Sequence, residues 1–376
     1  VLMAKGDYNQ TNAILLPEIS ISHTGITTTN PLMAFGSKLN QEILTANDFN
    51  PDLLNNPSRI DDYSTIIEVK QPLINVDGIF QRKAAKAKLE AITLKSERTK
   101  DYINFEVEKA YMQLQLAYKT VEVLEKAKSS ALENKRIADN SFKQGYLQRA
   151  DVLSVEVRVT DIENQLQSAK SNIKNASNYL SVLMNDMSFS ILKPIDNLEV
   201  VQTEVLDNLL SEDRADIQAM KLSSDAYNQM YKADKSGFLP RLNAFGSYEL
   251  HDNQMFQGDA NGYLVGAQLS WTIFEGYKRI GKAQKSKAEY EKSKLNFEQY
   301  KAQSQVELYS VERMLQDAKN KLELSQLALE QSQESLRIRT NRFKEGLEKT
   351  SDLLISETQY AQKQLEYYAT VYQHNY

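Results

Sequence analysis

The sequence predicts a mainly helical chain with a smaller β component, laid out as two copies of one plan: a two-stranded β-hairpin joined to long coiled-coil-like helices. Three observations lead there. A pattern of the form F-K-x-G, five residues, then D-x-L-x-x-E occurs twice, from Phe142 to Glu156 and from Phe343 to Glu357. An internal repeat of this kind marks a repeated architecture rather than two or three unrelated domains. The 376 residues include only 13 Gly and 7 Pro, with Lys, Glu, Gln, Leu, Ser and Ala abundant, which suits a chain that is mostly helix. Apolar residues at heptad spacing lead into each copy of the pattern, while short stretches elsewhere alternate apolar and polar at period two.

Composition narrows the function classes. A net charge of −5 gives no footprint for nucleic acid. There is no Cys, so disulfide frameworks, thiolate chemistry and a lipidated Cys within these residues are excluded. The longest uncharged stretches, such as Gly262–Phe274, are about half the ~18–20 residues a membrane-spanning helix needs, whereas a β-barrel spans with shorter strands. The three His residues, His23, His251 and His374, have no Cys or clustered carboxylates at ligand spacing and read as solvated surface side chains. No phosphate-cradling Gly loop and no catalytic constellation is present. The expectation is a protein that is not an enzyme and takes no metal or cofactor.

Taken in order, residues 1–14 read as the end of a helix. Ala4–Pro17 lines up with Tyr227–Pro240, so the sequence is expected to start mid-fold, with an N-terminal helix and any targeting segment outside it. A strand over about 18–27 places Ile19, Ile21 and His23 opposite Ser20, Ser22 and Thr24. Thr28–Asp62, rich in Asn and carrying Pro31, Pro51 and Pro57, reads as a long exposed loop. A second strand over about 63–73 sets Tyr63, Thr65, Ile67, Val69 and Leu73 against Ser64, Glu68 and Lys70. A long helix follows over 79–140, about 90 Å at ~1.5 Å per residue. Its seam runs through Ala110/Tyr111, Leu114, Ala117/Tyr118, Val121, Leu124 and Ala131.

The first pattern copy, a tip over 141–151, turns the chain at Gly145 into a return helix over 152–183. That helix has Leu153, Ile162, Leu166, Ala169, Ile173, Ala176 and Leu180 on one stripe. Residues 185–211, with Pro194, break the pattern and form a small mixed connector, so 1–184 is the first repeat and 212–376 the second. The second repeat has a helix over 214–236 and strands over about 241–251 and 263–274. It continues with a long helix over 277–341, a tip over 342–351 turning at Gly346, and a return helix over 352–372.

Each half thus supplies two strands of about ten residues with one apolar face, the length and alternation of an outer-membrane-type barrel. Tyr248, Tyr263 and Trp271 lie on the apolar face, where an interfacial aromatic belt belongs. An ordinary four-stranded sheet packed on helices has the same alternation. Four strands are too few to close, since barrels start at ~8, and an open edge is not tolerated in lipid, so a barrel requires other subunits.

Over essentially its full length the chain resembles the TolC-type outer-membrane efflux proteins (outer membrane factors). The resemblance rests on Phe238-Leu239-Pro240 before a strand, Gly262–Gly276 (GYLVGAQLSWTIFEG) entering a long helix, Arg214-Ala215-Asp216-Ile217 opening a half-length helix, and the two tips with Phe142, Gly145, Phe343 and Gly346. It implies a homotrimer whose twelve-stranded barrel, four strands per chain, is continuous with a helical barrel in the periplasm, with 185–211 at its equator. It also implies that Asp352 lines the constriction and that Asp151 takes part in links holding the entrance shut. Two positions depart from the family pattern: a second acidic ring falls on Ile355, and the basic gating position falls on Glu348, with Lys349 adjacent and Arg149 in the first tip. Both aspartates also suit helix caps.

The function implied is a passive exit duct in the outer membrane of a Gram-negative-type cell, within a tripartite efflux or type I secretion system. Its partners would be a periplasmic adaptor (membrane fusion) protein, an inner-membrane transporter and outer-membrane lipid. The alternative is a soluble periplasmic coiled-coil adaptor or scaffold, which would not need four strands with Trp271 and Tyr263 on an apolar face.

Overall fold

The computed structural model describes residues 1–202 and 209–376. In chain order its elements are α1 (Leu2–Gln10), β1 (Glu18–Thr28), α2 (Pro31–Asn40), α3 (Pro51–Asn55), β2 (Ile60–Ile74), α4 (Val76–Lys143), α5 (Arg149–Leu183), α6 (Ala215–Ser236), β3 (Arg241–Asp252), β4 (Ala260–Ser270), α7 (Lys278–Lys344) and α8 (Thr350–Asn375). They fall into two units, one of Val1–Glu97 with Glu212–Lys301 and the other of Arg98–Ser211 with Ala302–Tyr376.

The first unit is built on an antiparallel sheet of order β1-β2-β3-β4, so β1 and β4 are its edges. Register places Ile21, Ile67, Tyr248 and Tyr263 in one row across the sheet, and Ile19, Val69, Gly246 and Val265 in the next. Because side chains alternate at period two, these rows share a face with Leu242 and Leu269. The opposite face carries Ser20, Glu68 and Ser247 in one row and Ser22, Ile66 and Glu249 in another. Two glycines sit opposite aromatics: a Cβ at Gly25 would come within 2.8 Å of the Tyr63 ring, and one at Gly266 within 2.7 Å of Phe245. Both rings lie over bare backbone, which fixes local register.

The expectation of an exposed loop over Thr28–Asp62 is corrected. This segment folds into α2, a single 3-10 turn (Ala46–Phe49) and α3. The Asn30 carboxamide oxygen accepts from the amides of Leu32 and Met33, and Pro31 fills the first helical position; Asn50 and Pro51 do the same for α3. Gln41 at the end of α2 then donates to the Asp61 carbonyl and to the Asp62 carboxylate, both at 2.9 Å, tying the helices to β2.

Strand limits also differ. β2 starts at Ile60, and β4 ends at Ser270 rather than near 274. Ser270 pairs with Arg241, and Pro240 stands before it, so β3 offers β4 no further ladder. Beyond it the Trp271 indole donates to the Phe238 carbonyl at 3.0 Å and Arg279 donates to the Thr272 carbonyl. The helix expected over 1–14 is α1 followed by a 3-10 turn (Thr11–Ile14). Gly78, in the first turn of α4, lets that turn approach, since a Cβ there would fall 2.5 Å from Ile14. Arg82 fixes the contact through Tyr8 and Thr11, and Asp77 pairs with Arg241.

The second unit is helical. Val152, Val159, Leu166, Ile173 and Leu180 recur every seventh residue of α5 and are all buried, with Val155, Ile162 and Ala169 between them. From Val159 onward they pack against Ala110, Leu114, Val121, Leu124 and Ala131 of α4, a heptad seam. The stripe therefore begins at Val152, and Leu153, expected on it, is exposed. The described parts of the connector, 185–202 and 209–211, have neither helix nor strand; residues 203–208 of its expected span lie outside the described residues. The Tyr118 hydroxyl donates to the Leu192 carbonyl, Gln115 to the Asp196 carbonyl, and Asn375 to the Glu199 carbonyl.

Candidate functional site

Both tips end their long helix in the same way. Gly145 (φ +80°) and Gly346 (φ +75°) adopt the left-handed conformation that favours glycine. The Gly145 amide donates to the Phe142 carbonyl and the Tyr146 amide to Ser141; the Gly346 amide donates to Phe343 and the Leu347 amide to Arg342. These paired bonds are Schellman motifs, closing the last carbonyls of α4 and α7. The two phenylalanines then part company: Phe343 is buried and Phe142 is exposed.

The aspartates also diverge. Each stands at the third position of its helix, where a carboxylate meets the positive end of the helix dipole. The Asp151 carboxylate accepts the Gln148 amide at 3.2 Å, a helix-capping contact. Asp352 instead has the Ser351 hydroxyl at 3.4 Å and an Arg339 nitrogen at 3.9 Å. Arg149 turns to Glu156 (3.8 Å), which Lys135 also approaches at 3.3 Å, and Lys349 is exposed. Within one copy of the chain Asp151 is thus joined to its own helix.

The strongest ion pairs of the second tip were not anticipated from sequence. Glu348 is 11% exposed; one oxygen lies 2.8 Å from Arg339 and the other 2.9 Å from Arg342. Arg342 also donates to the Leu347 carbonyl. Arginines three residues apart in the last turns of α7, facing a Glu just beyond the Gly turn, were the available signal.

A second feature, Glu357, is the repeat partner of the half-buried Glu156, yet it is buried. It accepts from Asn134 of α4 through one oxygen, and the other has no partner among the described residues. Burial pushes its carboxyl above the ordinary glutamate range, against opposing contributions from Arg158 and Asn134. A raised folded pKa means that the protonated form is the stabilised one. Its contribution is present below the ordinary glutamate pKa and is lost as pH rises through the folded value. Glu357→Gln should therefore match the wild type in acid and melt higher than it at neutral pH. A melting-temperature difference that does not change with pH would contradict this.

The belt residues lie in the sheet unit. Tyr248 and Tyr263 are cross-strand partners, and Tyr263 is 81% exposed. Trp271 is exposed just past the end of β4. The histidines, expected at the surface, are largely enclosed: His23 lies between Thr65 (2.8 Å) and the Phe256 ring, His251 lies 3.2 Å from Asp62, and His374 is buried. Among the described residues no group of His, Asp and Glu could hold a metal ion, and no helix is long and apolar enough to cross a membrane.

The chain matches the family described as outer membrane efflux protein over residues 2–186 and 206–374. Compared by sequence with curated proteins it matches none. Its fold is similar to that of the outer membrane protein VceC of Vibrio cholerae (TM-score 0.82, 17% identity, covering 100% of this chain and 88% of that one). It is also similar to CusC (TM-score 0.84, 15% identity, 100% and 84% covered). A third match is the open state of the MtrE outer membrane channel of Neisseria gonorrhoeae (TM-score 0.76, 15% identity, 99% and 82% covered).

Proposed function

Because the chain belongs to the outer membrane efflux protein family, we propose that three copies of it form a passive exit duct, each lending four strands to a twelve-stranded barrel in the outer membrane. The duct serves a tripartite efflux or type I secretion system, joined to a periplasmic adaptor and driven by an inner-membrane transporter. The two structural repeats, 1–184 and 212–376, form its wall, with 185–211 between them.

One observation carries this reading. The apolar face of the sheet is uncovered: Ile21 is 72%, Val265 74% and Leu269 67% exposed. A sheet packed on a soluble core would hide those side chains, whereas a barrel turns them to lipid and its polar face to water. The edges β1 and β4 each have a single neighbour, and lipid admits no open edge, so further copies supply the missing partners. On α7, Val306, Val311, Met314, Leu324 and Leu327 are exposed as well, an apolar surface suited to neighbouring helices of the same assembly. A soluble adaptor or scaffold accounts for the helices and leaves the sheet unexplained.

Within this duct Asp352 forms a carboxylate ring at the constriction. Symmetry brings three like charges together, and each favours a bound cation. Asp352→Asn is expected to lower cation selectivity in planar bilayers and to weaken block by multivalent cations, with little change in stability. Asp151→Ala raises conductance at unchanged selectivity if Asp151 locks the entrance to Lys349 or Arg149. A capping role alone predicts a loss of ~0.5–2 kcal/mol of helix stability with the current unchanged. Unaltered selectivity in Asp352→Asn, with a lowered melting point, would return that residue to a structural role.

A further inference from the structure

We infer that Glu348 sets the charge that Asp352 presents, by holding Arg339 away from it. The inference rests on the reading of Asp352 as the constriction carboxylate and concerns how little of that carboxylate's charge is compensated by a neighbouring cation.

Arg339 has a choice of two carboxylates. Its Nη1 lies 2.8 Å from Glu348 Oε1 and 3.9 Å from Asp352 Oδ2. The short contact is a charge-assisted hydrogen bond; the long one is outside hydrogen-bond range and half open to water, where an ion pair is weak. Three features favour Glu348. It is largely buried, so its pairing is less screened, whereas the Asp352 side chain is 42% exposed. Arg342 engages its second oxygen, so the carboxylate is held from both sides. The left-handed turn at Gly346, closed by the Leu347 amide on the Arg342 carbonyl, fixes the backbone that carries it. Glu348 therefore compensates both arginines, and Asp352 keeps its negative charge with a hydroxyl as its nearest polar partner.

Removing the Glu348 charge reverses this. Asp352 is the other carboxylate within 4.0 Å of Arg339, so the freed guanidinium closes on it and neutralises the ring. Glu348 is then a specificity-determining residue that acts through Arg339.

The test uses the full chain in planar bilayers under a KCl gradient, comparing the potassium-over-chloride permeability ratio of wild type, E348Q, R339Q, R339Q/E348Q and D352N. Gln keeps the volume and one acceptor oxygen of Glu348, and circular dichroism checks that each variant is folded; E348A replaces E348Q if the latter fails to assemble. The ratio is expected to fall roughly two- to fivefold in E348Q, the scale of one exposed charge pair at this separation. In the R339Q background, where Arg342 is the remaining arginine that Glu348 holds, the same substitution should lower the ratio by less than it does in the wild type. An equal fall with and without Arg339 overturns the inference, because Glu348 would then act through its own charge. So does an E348Q ratio that is unchanged or raised. If D352N lowers the ratio while E348Q does not, only this inference fails; if D352N leaves it unchanged, the constriction reading fails first.

Discussion

Val265→Arg is expected to cost ~2–4 kcal/mol per subunit and to abolish accumulation of assembled protein, while Gln268→Arg is tolerated. The two positions lie on β4 and point to opposite faces: Val265, at mid-strand, pairs with Gly246 on the apolar side, Gln268 with Asn243 on the polar side. In the proposed barrel an arginine at Val265 would place a guanidinium in hydrocarbon, where neither water nor a counter-charge reaches it. One at Gln268 joins the face that carries Glu68, Lys70 and Glu249. Assembled protein extracted from membranes and resolved by size measures the outcome. Equal loss from both would indicate a sheet buried on both faces, and equal tolerance a sheet that meets no lipid.

Leu353→Ala should lower the melting temperature through a loss of ~2–5 kcal/mol, the range for deleting a fully buried Leu side chain. Leu353 is 1% exposed and occupies the place that Val152 holds in the first repeat, at the start of the return helix beside Asp352. Ile355→Ala, two residues on and 57% exposed, should stay within about 0.5 kcal/mol. Thermal unfolding followed by circular dichroism ranks the two. Comparable losses, or the reverse order, would contradict the burial of Leu353 and the exposure of Ile355 on α8.

Much of the architecture was readable because it rests on period. The heptad spacing of Leu114, Val121 and Leu124 and the alternation through Ile67, Val69, Val265 and Leu269 report geometry directly. The left-handed turns at Gly145 and Gly346 were equally legible, since each falls at the foot of a heptad run. The helices α2 and α3 were missed because they are too short to display a period, although Asn30-Pro31 and Asn50-Pro51 are helix-start signals in their own right. The stripe expected to include Leu153 runs instead through Val152, the seventh residue before Val159.

At the site, sequence located the tips but not their wiring. Which of Glu348 and Asp352 holds Arg339 depends on burial and on distances of 2.8 and 3.9 Å, and a spacing rule resolves neither. The contrast between exposed Phe142 and buried Phe343, and between Glu156 and Glu357, follows from different neighbours around equivalent positions. Repetition of a motif does not carry that information.

The central claim is that the four-stranded sheet is one part of a closed barrel, and the most direct measurement is the molar mass of the detergent-solubilised protein by light scattering. The sheet leaves two edges unpaired and its apolar face uncovered, so the expected particle has three copies, and no folded monomer persists on dilution. A monodisperse, fully helical monomer that keeps its secondary structure in detergent would contradict the account.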